Sequence, residues 1–94
     1  MTNTLEVSET STSTGSILGQ PYNVVLFNDE SHGQDEVVMQ IMKATKCDAG
    51  RATSIMLEAH NVGRAIAYSG SRERCELVES ILAEISLGTK IEQA

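Results

Sequence analysis

The chain has 94 residues and a net charge of −6, and 40% of its residues are hydrophobic, which suits one small globular domain. Seven basic residues and three aromatic ones argue against nucleic acid as a partner, because nucleic-acid binders present basic surfaces and aromatic stacking platforms. No run of about eighteen apolar residues is present to cross a membrane, so we expect a cytoplasmic protein with no membrane partner.

The first twenty residues differ in composition from the rest of the chain. They contain nine Ser or Thr residues and few large apolar ones, so they cannot bury enough surface to offset the entropy lost on ordering. We therefore predict a disordered tail over residues 1–20 and a folded domain over 21–94. The tail is either a passive overhang or a flexible segment that engages a partner.

The first half of the predicted domain reads as one strand followed by two helices. A β-branched and aromatic run predicts a strand over 22–27, and the polar residues 28–33 predict a loop. Apolar residues at helical spacing predict helices over about 34–46 and 49–61, the second capped by Asp48.

The second half reads as a strand, a helix and a final strand. Gly63 predicts the end of the second helix, and residues 64–68 form a short strand pattern. A turn and cap over 69–71 precede a third helix whose apolar stripe ends at Ile85, and residues 89–92 predict an edge strand. The predicted fold is α+β, in the order β-α-α-β-α-β, with one sheet face packed on helices.

The sequence contains no pattern of a known catalytic or cofactor-binding centre. It has neither a phosphate-binding glycine loop nor an HExxH motif. Cys47 and Cys75 lack the spacing of a zinc site, and the residue four positions before His60 is Met56 rather than a second ligand. We therefore expect no cofactor, no metal ion and no enzymatic activity, with a cysteine thiolate beside His60 as a minor alternative.

Asn28 and Asp29 follow the first strand, and His60 ends the second helix, so the predicted fold can bring all three together. An amide oxygen, a carboxylate and a neutral imidazole nitrogen could accept the three hydrogens of an ammonium group. Met56 and Val37 would then supply an apolar surface beside the cation. The alternative is structural: Asn28 and Asp29 shape the turn, and His60 lies on a half-buried helix face.

Two motifs contain these residues in a recognisable order and spacing. They are Pro21-Tyr22-x-Val-x-Leu-x-Asn28-Asp29-Glu30 and Asp48-x-x-Arg51-Ala52-x-x-Ile55-Met56-x-x-x-His60-x-x-Gly63. Together they resemble the ClpS family of Clp protease adaptors over residues 21–94. The resemblance implies a β-α-α-β-α-β sandwich shared with the C-terminal domain of the ribosomal stalk protein. It also implies a non-enzymatic adaptor that binds N-degron proteins with a bulky hydrophobic first residue and delivers them to a ClpA-type AAA+ unfoldase.

The resemblance assigns an expected role to eleven residues. The residues expected to bind the peptide α-amino group are Asn28, Asp29 and His60. Those expected to line the hydrophobic pocket are Val37, Met56, Ala59 and Leu87. Those expected to contact the peptide backbone or gate the pocket are Glu30, His32 and Gln34. An unfoldase contact is expected at Glu73.

Residues 30–34 and Ala59 depart from the family pattern. His32 and Gln34 stand where a Thr and a Met are usual, and Ala59 stands where a Val is frequent. An amide at position 34 loses apolar contact and adds hydrogen-bonding capacity. These departures leave a second interpretation open, in which the chain is a protein–protein regulator of the unfoldase that keeps the fold and has lost N-degron recognition. In either case we expect a monomer.

Overall fold

The computed structural model describes residues 21–94, which form a three-stranded antiparallel sheet and three α-helices. The predicted α+β class and element order are confirmed, whereas the predicted tail, residues 1–20, lies outside the described residues. In chain order the elements are β1 (Tyr22–Phe27), α1 (Gln34–Thr45), α2 (Ala49–Val62), β2 (Arg64–Gly70), α3 (Arg72–Leu82), a 3-10 turn (Ala83–Ile85) and β3 (Thr89–Gln93).

The strand β1 lies in the centre of the sheet, with β2 and β3 antiparallel on either side. At one end of the sheet Tyr22 pairs with Gly70 and Gln93, and at the other end Phe27 pairs with Arg64. The loop that follows β1 therefore emerges where β2 begins. A β-bulge between Val24 and Val25 shifts the register of the β1–β2 pairing.

The helices cover one face of this sheet and form the hydrophobic core with it. Val24 and Leu26 of β1 are 0% and 1% exposed and belong to the same cluster as buried residues of all three helices. Val25 is also fully buried but lies outside that cluster, on the opposite face. On that face Arg64 of β2 and Glu92 of β3 form an ion pair of 2.9 Å, which crosses β1.

The predicted turn over residues 69 and 70 is wrong, because β2 continues to Gly70. Ser69 pairs with Asn23, and its Oγ donates to Asn23 Oδ1 at 2.6 Å. Pairing along the whole of β1 outweighs the local turn preference of these residues. The predicted stripe of the third helix also ends early, since α3 stops at Leu82 and Ile85 lies in the 3-10 turn.

Both predicted caps of α2 are confirmed. The Asp48 side chain accepts a hydrogen bond from the Arg51 N–H at 2.8 Å. Gly63 adopts a left-handed conformation with φ of 105°, and its N–H donates to Ala59 O at 2.9 Å. Within residues 21–94 no helix has the length and apolar character needed to span a bilayer.

Gly63→Ala should destabilise the domain by about 1 kcal/mol, because an L side chain is strained at positive φ. No heavy atom lies within 4 Å of the position of an added Cβ, so the backbone alone causes the cost. Gly50→Ala, in the first turn of the same helix, is the matched control and should stabilise by about 0.5 kcal/mol. Urea unfolding of both variants measures the difference, and equal effects would contradict this account of Gly63.

Candidate functional site

A pocket of about 30 Å³ opens where the end of β1, the first turn of α1 and the last turns of α2 meet. Its walls combine apolar side chains with a polar rim. The lining residues are Leu26, Phe27, Asn28, Asp29, His32, Gln34, Val37, Met56, Ala59 and His60. Eight of the eleven residues singled out in the sequence are therefore brought together in one place. Sequence reasoning missed Leu26 and Phe27, whose strand pattern gave no sign of which residues would border a cavity.

Hydrogen bonds fix the position of Asn28 at the rim of the pocket. Its main-chain N–H donates to Gly63 O at 3.0 Å, which ties the end of β1 to the end of α2. Its side-chain Nδ2 donates to Glu30 Oε2 at 2.7 Å. With the NH₂ group engaged by Glu30, the amide oxygen Oδ1 stays available as a hydrogen-bond acceptor at the pocket.

The carboxylate of Asp29 organises the loop between β1 and α1. Its Oδ1 accepts from Ser31 N at 2.7 Å, Ser31 Oγ at 2.9 Å and His32 N at 2.9 Å. Its Oδ2 lies 2.9 Å from His32 Nδ1. Burial raises the pKa of the Asp29 carboxyl, but these hydrogen bonds from Ser31 and His32 lower it more, to about 2. The loop thus holds a negative charge at the pocket with one acceptor position left on Oδ2.

The floor of the pocket comes from two helices. Met56, Ala59 and His60 lie at positions i, i+3 and i+4 of α2 and so share one face. Val37, Met56 and Ala59 are 6%, 7% and 3% exposed and form an apolar floor, while His60 is exposed at the rim. Gln34, the first residue of α1, is exposed at the mouth, and within residues 21–94 its amide has no hydrogen-bond partner.

Three residues expected at the site lie outside the pocket lining. Leu87 is 4% exposed in the core, where its N–H donates to Leu82 O at 3.4 Å. Glu30 is exposed and reaches the site only through Asn28. Glu73 lies in the first turn of α3, which starts directly after the end of β2 that pairs with Tyr22. Glu73 and the pocket therefore lie at opposite ends of the sheet.

Neither cysteine lines the pocket. Cys75 is fully buried on α3, and burial raises the pKa of its thiol, with a further increase from nearby Glu79. Its Sγ donates to Tyr22 O at 3.4 Å, at the end of β1 away from the pocket. Residues 21–94 contain no group of three or more potential ligands placed to hold a metal ion.

Comparison with known proteins relates residues 19–87 to the family described as ATP-dependent Clp protease adaptor protein ClpS. All pocket residues fall within this range. The chain is 33% identical over 69 residues to the ATP-dependent Clp protease adapter protein ClpS of Vibrio atlanticus, covering 73% of this chain and 62% of that protein. It is 36% identical over 78 residues to the E3 ubiquitin-protein ligase UBR1 of Drosophila melanogaster, covering 82% of this chain and 4% of the ligase.

A solved structure shows the same fold. The structure of Agrobacterium tumefaciens ClpS2 bound to L-phenylalaninamide superposes with a TM-score of 0.74 at 18% identity, covering 80% of this chain and 98% of that one. The chain spans less than two thirds of the length of the curated relatives named above.

Asp29→Asn should destabilise the domain by about 1 kcal/mol at neutral pH, because the charged partner of His32 and of two loop N–H groups is lost. The folded pKa lies below the ordinary value of 3.8, so the contribution of the carboxylate is complete above about pH 4 and is lost as the pH falls through about 2. The difference in unfolding free energy between wild type and variant should shrink over that range.

Urea unfolding of both proteins between about pH 7 and pH 2 tests this expectation. Glu58→Gln, which removes an exposed carboxylate from α2, is the control for the loss of one negative charge. A difference between wild type and Asp29→Asn that stays constant down to about pH 2 would show that the loop does not depend on the ionised carboxylate.

Proposed function

The chain belongs to the ClpS family of Clp protease adaptor proteins, and we propose that it binds proteins by a free N-terminus and delivers them to an AAA+ unfoldase. In this role the chain catalyses nothing itself. The observation that carries the proposal is the pocket, in which acceptor groups border an apolar floor. This arrangement suits a cation attached to a hydrophobic side chain, which is what the first residue of a polypeptide offers when that residue is bulky and apolar.

The ammonium group would be bound by Asn28 Oδ1, the His60 imidazole and the remaining acceptor position of Asp29. The ionised Asp29 carboxylate adds a negative charge that strengthens hydrogen bonds from a cationic donor. The side chain of the first residue would then lie against Val37, Met56 and Ala59. L-Phenylalaninamide, the ligand of the ClpS2 structure, has this combination of a free amine and an apolar side chain.

The size of the preferred first residue depends on Gln34 and Ala59. Ala59 is smaller than the Val expected at its position, which deepens the floor. Gln34 stands at the mouth as an exposed side chain, so a side chain that enters the pocket passes beside it. We propose that Leu, Phe, Tyr and Trp are accepted, with the amide of Gln34 reducing the apolar contact that a Met would provide.

Delivery would use surfaces away from the pocket. Glu73 lies at the opposite end of the sheet, so an unfoldase of the ClpA type could contact it while the pocket is occupied. Residues 1–20 supply twenty residues of chain before the domain, enough to enter a pore at up to about 3.5 Å per residue. In this proposal the adaptor acts as a monomer in the cytoplasm, and its substrates are N-degron proteins.

A second candidate function follows from the state of Asp29. The carboxylate already accepts four hydrogen bonds from within the loop. One of them comes from His32, whose Nδ1 lies 2.9 Å from Oδ2. This arrangement favours a protein that keeps the fold and contacts the unfoldase without binding N-degrons. Such a regulator would bind no free amine in the pocket, so the binding experiment below separates the two functions.

A short peptide that begins with Leu or Phe should bind, whereas its N-acetylated twin should bind at least about a hundredfold more weakly. Acetylation removes the positive charge and two donors, which leaves Asn28 and His60 without a partner for their acceptor atoms. Calorimetric titration of the two peptides, matched in all other residues, makes the comparison. Equal binding of the twins would reject the amine-binding proposal, and absence of binding by both would favour the regulator.

His60→Ala should weaken binding of the free peptide by roughly tenfold, the value of one hydrogen bond to a charged group. Asn61→Ala is the matched control, because Asn61 is the next residue of α2, is exposed and does not line the pocket. The same titration should show wild-type affinity for the control variant. Unchanged affinity of His60→Ala would remove the imidazole from the binding site.

A further inference from the structure

A second apolar concavity lies beside the pocket, between α1 and α2. We call it the α1–α2 groove. The residues of the groove used in the argument are Gln34, Val38, Met39, Met42, Met56 and Leu57. Met39 and Leu57 are 66% and 42% exposed. They are thus two of the five large apolar side chains that residues 21–94 expose, and both lie in this one groove.

The groove is continuous with the pocket. Gln34 and Met56 line both concavities, so together they form the boundary between the two. The three-residue connection between α1 and α2 makes the helices antiparallel neighbours. The groove therefore runs away from the pocket along α1, from Gln34 towards Met42.

The length of the groove matches a short extended peptide. From Gln34 to Met42, α1 rises by about 12 Å at 1.5 Å per residue. An extended chain covers this distance with three or four residues, at about 3.3 Å each. A polypeptide whose first residue lies in the pocket would thus place its next few residues along the groove.

The charges near the pocket favour this direction of binding. The loop and the first turn of α1 contain four acidic residues and no Lys or Arg, and these are Asp29, Glu30, Asp35 and Glu36. The positively charged end of a polypeptide is its N-terminus, so it is attracted to this acidic end.

We propose that the α1–α2 groove is a second subsite, which binds apolar side chains at the second and third positions of the same polypeptide whose first residue occupies the pocket. This inference rests on the proposed function of the pocket. Its physical basis is that the exposed parts of Met39 and Leu57 lose contact with water only when an apolar partner covers them. The preferred substrates then carry an apolar stretch, and the first residue alone accounts for only part of their affinity.

The test uses three ligands with a free amine: leucinamide, the peptide Leu-Val-Val-Ser-amide and the peptide Leu-Thr-Thr-Ser-amide. Val and Thr have nearly the same shape, so the two peptides differ only in two methyl groups that become hydroxyl groups. Calorimetric titration should show that the Val peptide binds roughly fivefold to tenfold more tightly than the Thr peptide. Isotope-labelled methyl groups of Met39 and Leu57 should shift in the NMR spectrum with the Val peptide but not with leucinamide.

The double variant Met39→Gln/Leu57→Gln makes the groove polar and keeps exposed residues that favour helix. It should reduce the ratio of the affinities for the Val and Thr peptides to less than about twofold. Its affinity for leucinamide should be unchanged. Leu77→Gln is the matched control, because Leu77 is 53% exposed on α3, away from the groove. This control should keep the wild-type ratio.

The outcomes separate the two proposals. If leucinamide binds but the Val and Thr peptides bind equally to the wild-type protein, the groove is not a subsite and the function of the pocket stands. If the double variant still binds the Val peptide more tightly than the Thr peptide by the wild-type ratio, the preference for Val arises outside the groove, and the groove proposal is overturned. If no free-amine ligand binds, the function proposed for the pocket fails, and the second subsite fails with it.

Discussion

One backbone hydrogen bond, from the Asn28 N–H to Gly63 O at 3.0 Å, determines where the site forms. It joins the loop after β1 to the junction of α2 and β2, two segments that are 35 residues apart in the sequence. The bond requires α2 to end abruptly, which the left-handed conformation of Gly63 achieves. Asn28 and His60 come to the same rim as a consequence, although neither contacts the other through a bond of its own.

The site divides into a rigid part and an adaptable part. Val37, Met56 and Ala59 are buried and belong to the same core cluster as the central strand, so their positions are set by the packing of the whole domain. The exposed side chains Gln34 and His60 have no such restraint. In the proposed function, Asn28 and Asp29 would bind the amine from positions that the loop holds. His60 and Gln34 would instead adjust to the ligand by changing rotamer.

Much of the fold was predictable because its signals are local. The helical spacing of apolar residues, the Asp48 cap and the Gly63 cap each act within one or two turns. The strand status of Ser69 was not predictable from local preference, because it comes from pairing with Asn23, 46 residues earlier. Whether Leu87 faces the core or the pocket could not be predicted for a related reason: the connection that contains it follows a 3-10 turn, and its orientation depends on packing.

The pocket itself was predictable to a similar extent. The convergence of Asn28, Asp29 and His60 follows from element order, which the sequence indicates. The occupation of the Asp29 carboxylate by its own loop agrees with the structural alternative, in which Asn28 and Asp29 shape the turn. Its signal in the sequence is Asp followed by Ser at i+2, a typical Asx-turn pattern. The Asp29 carboxylate therefore stabilises the loop in addition to any contribution that it makes to binding. The central position of β1 has a different consequence. Tyr22–Phe27 is an uncharged β-branched and aromatic hexapeptide without Pro, the kind of segment that forms cross-β aggregates. β2 and β3 pair with its two edges. The five residues of β3 therefore prevent β1 from pairing with a second copy of the chain, and loss of β3 alone would expose an edge on which fibrils could grow.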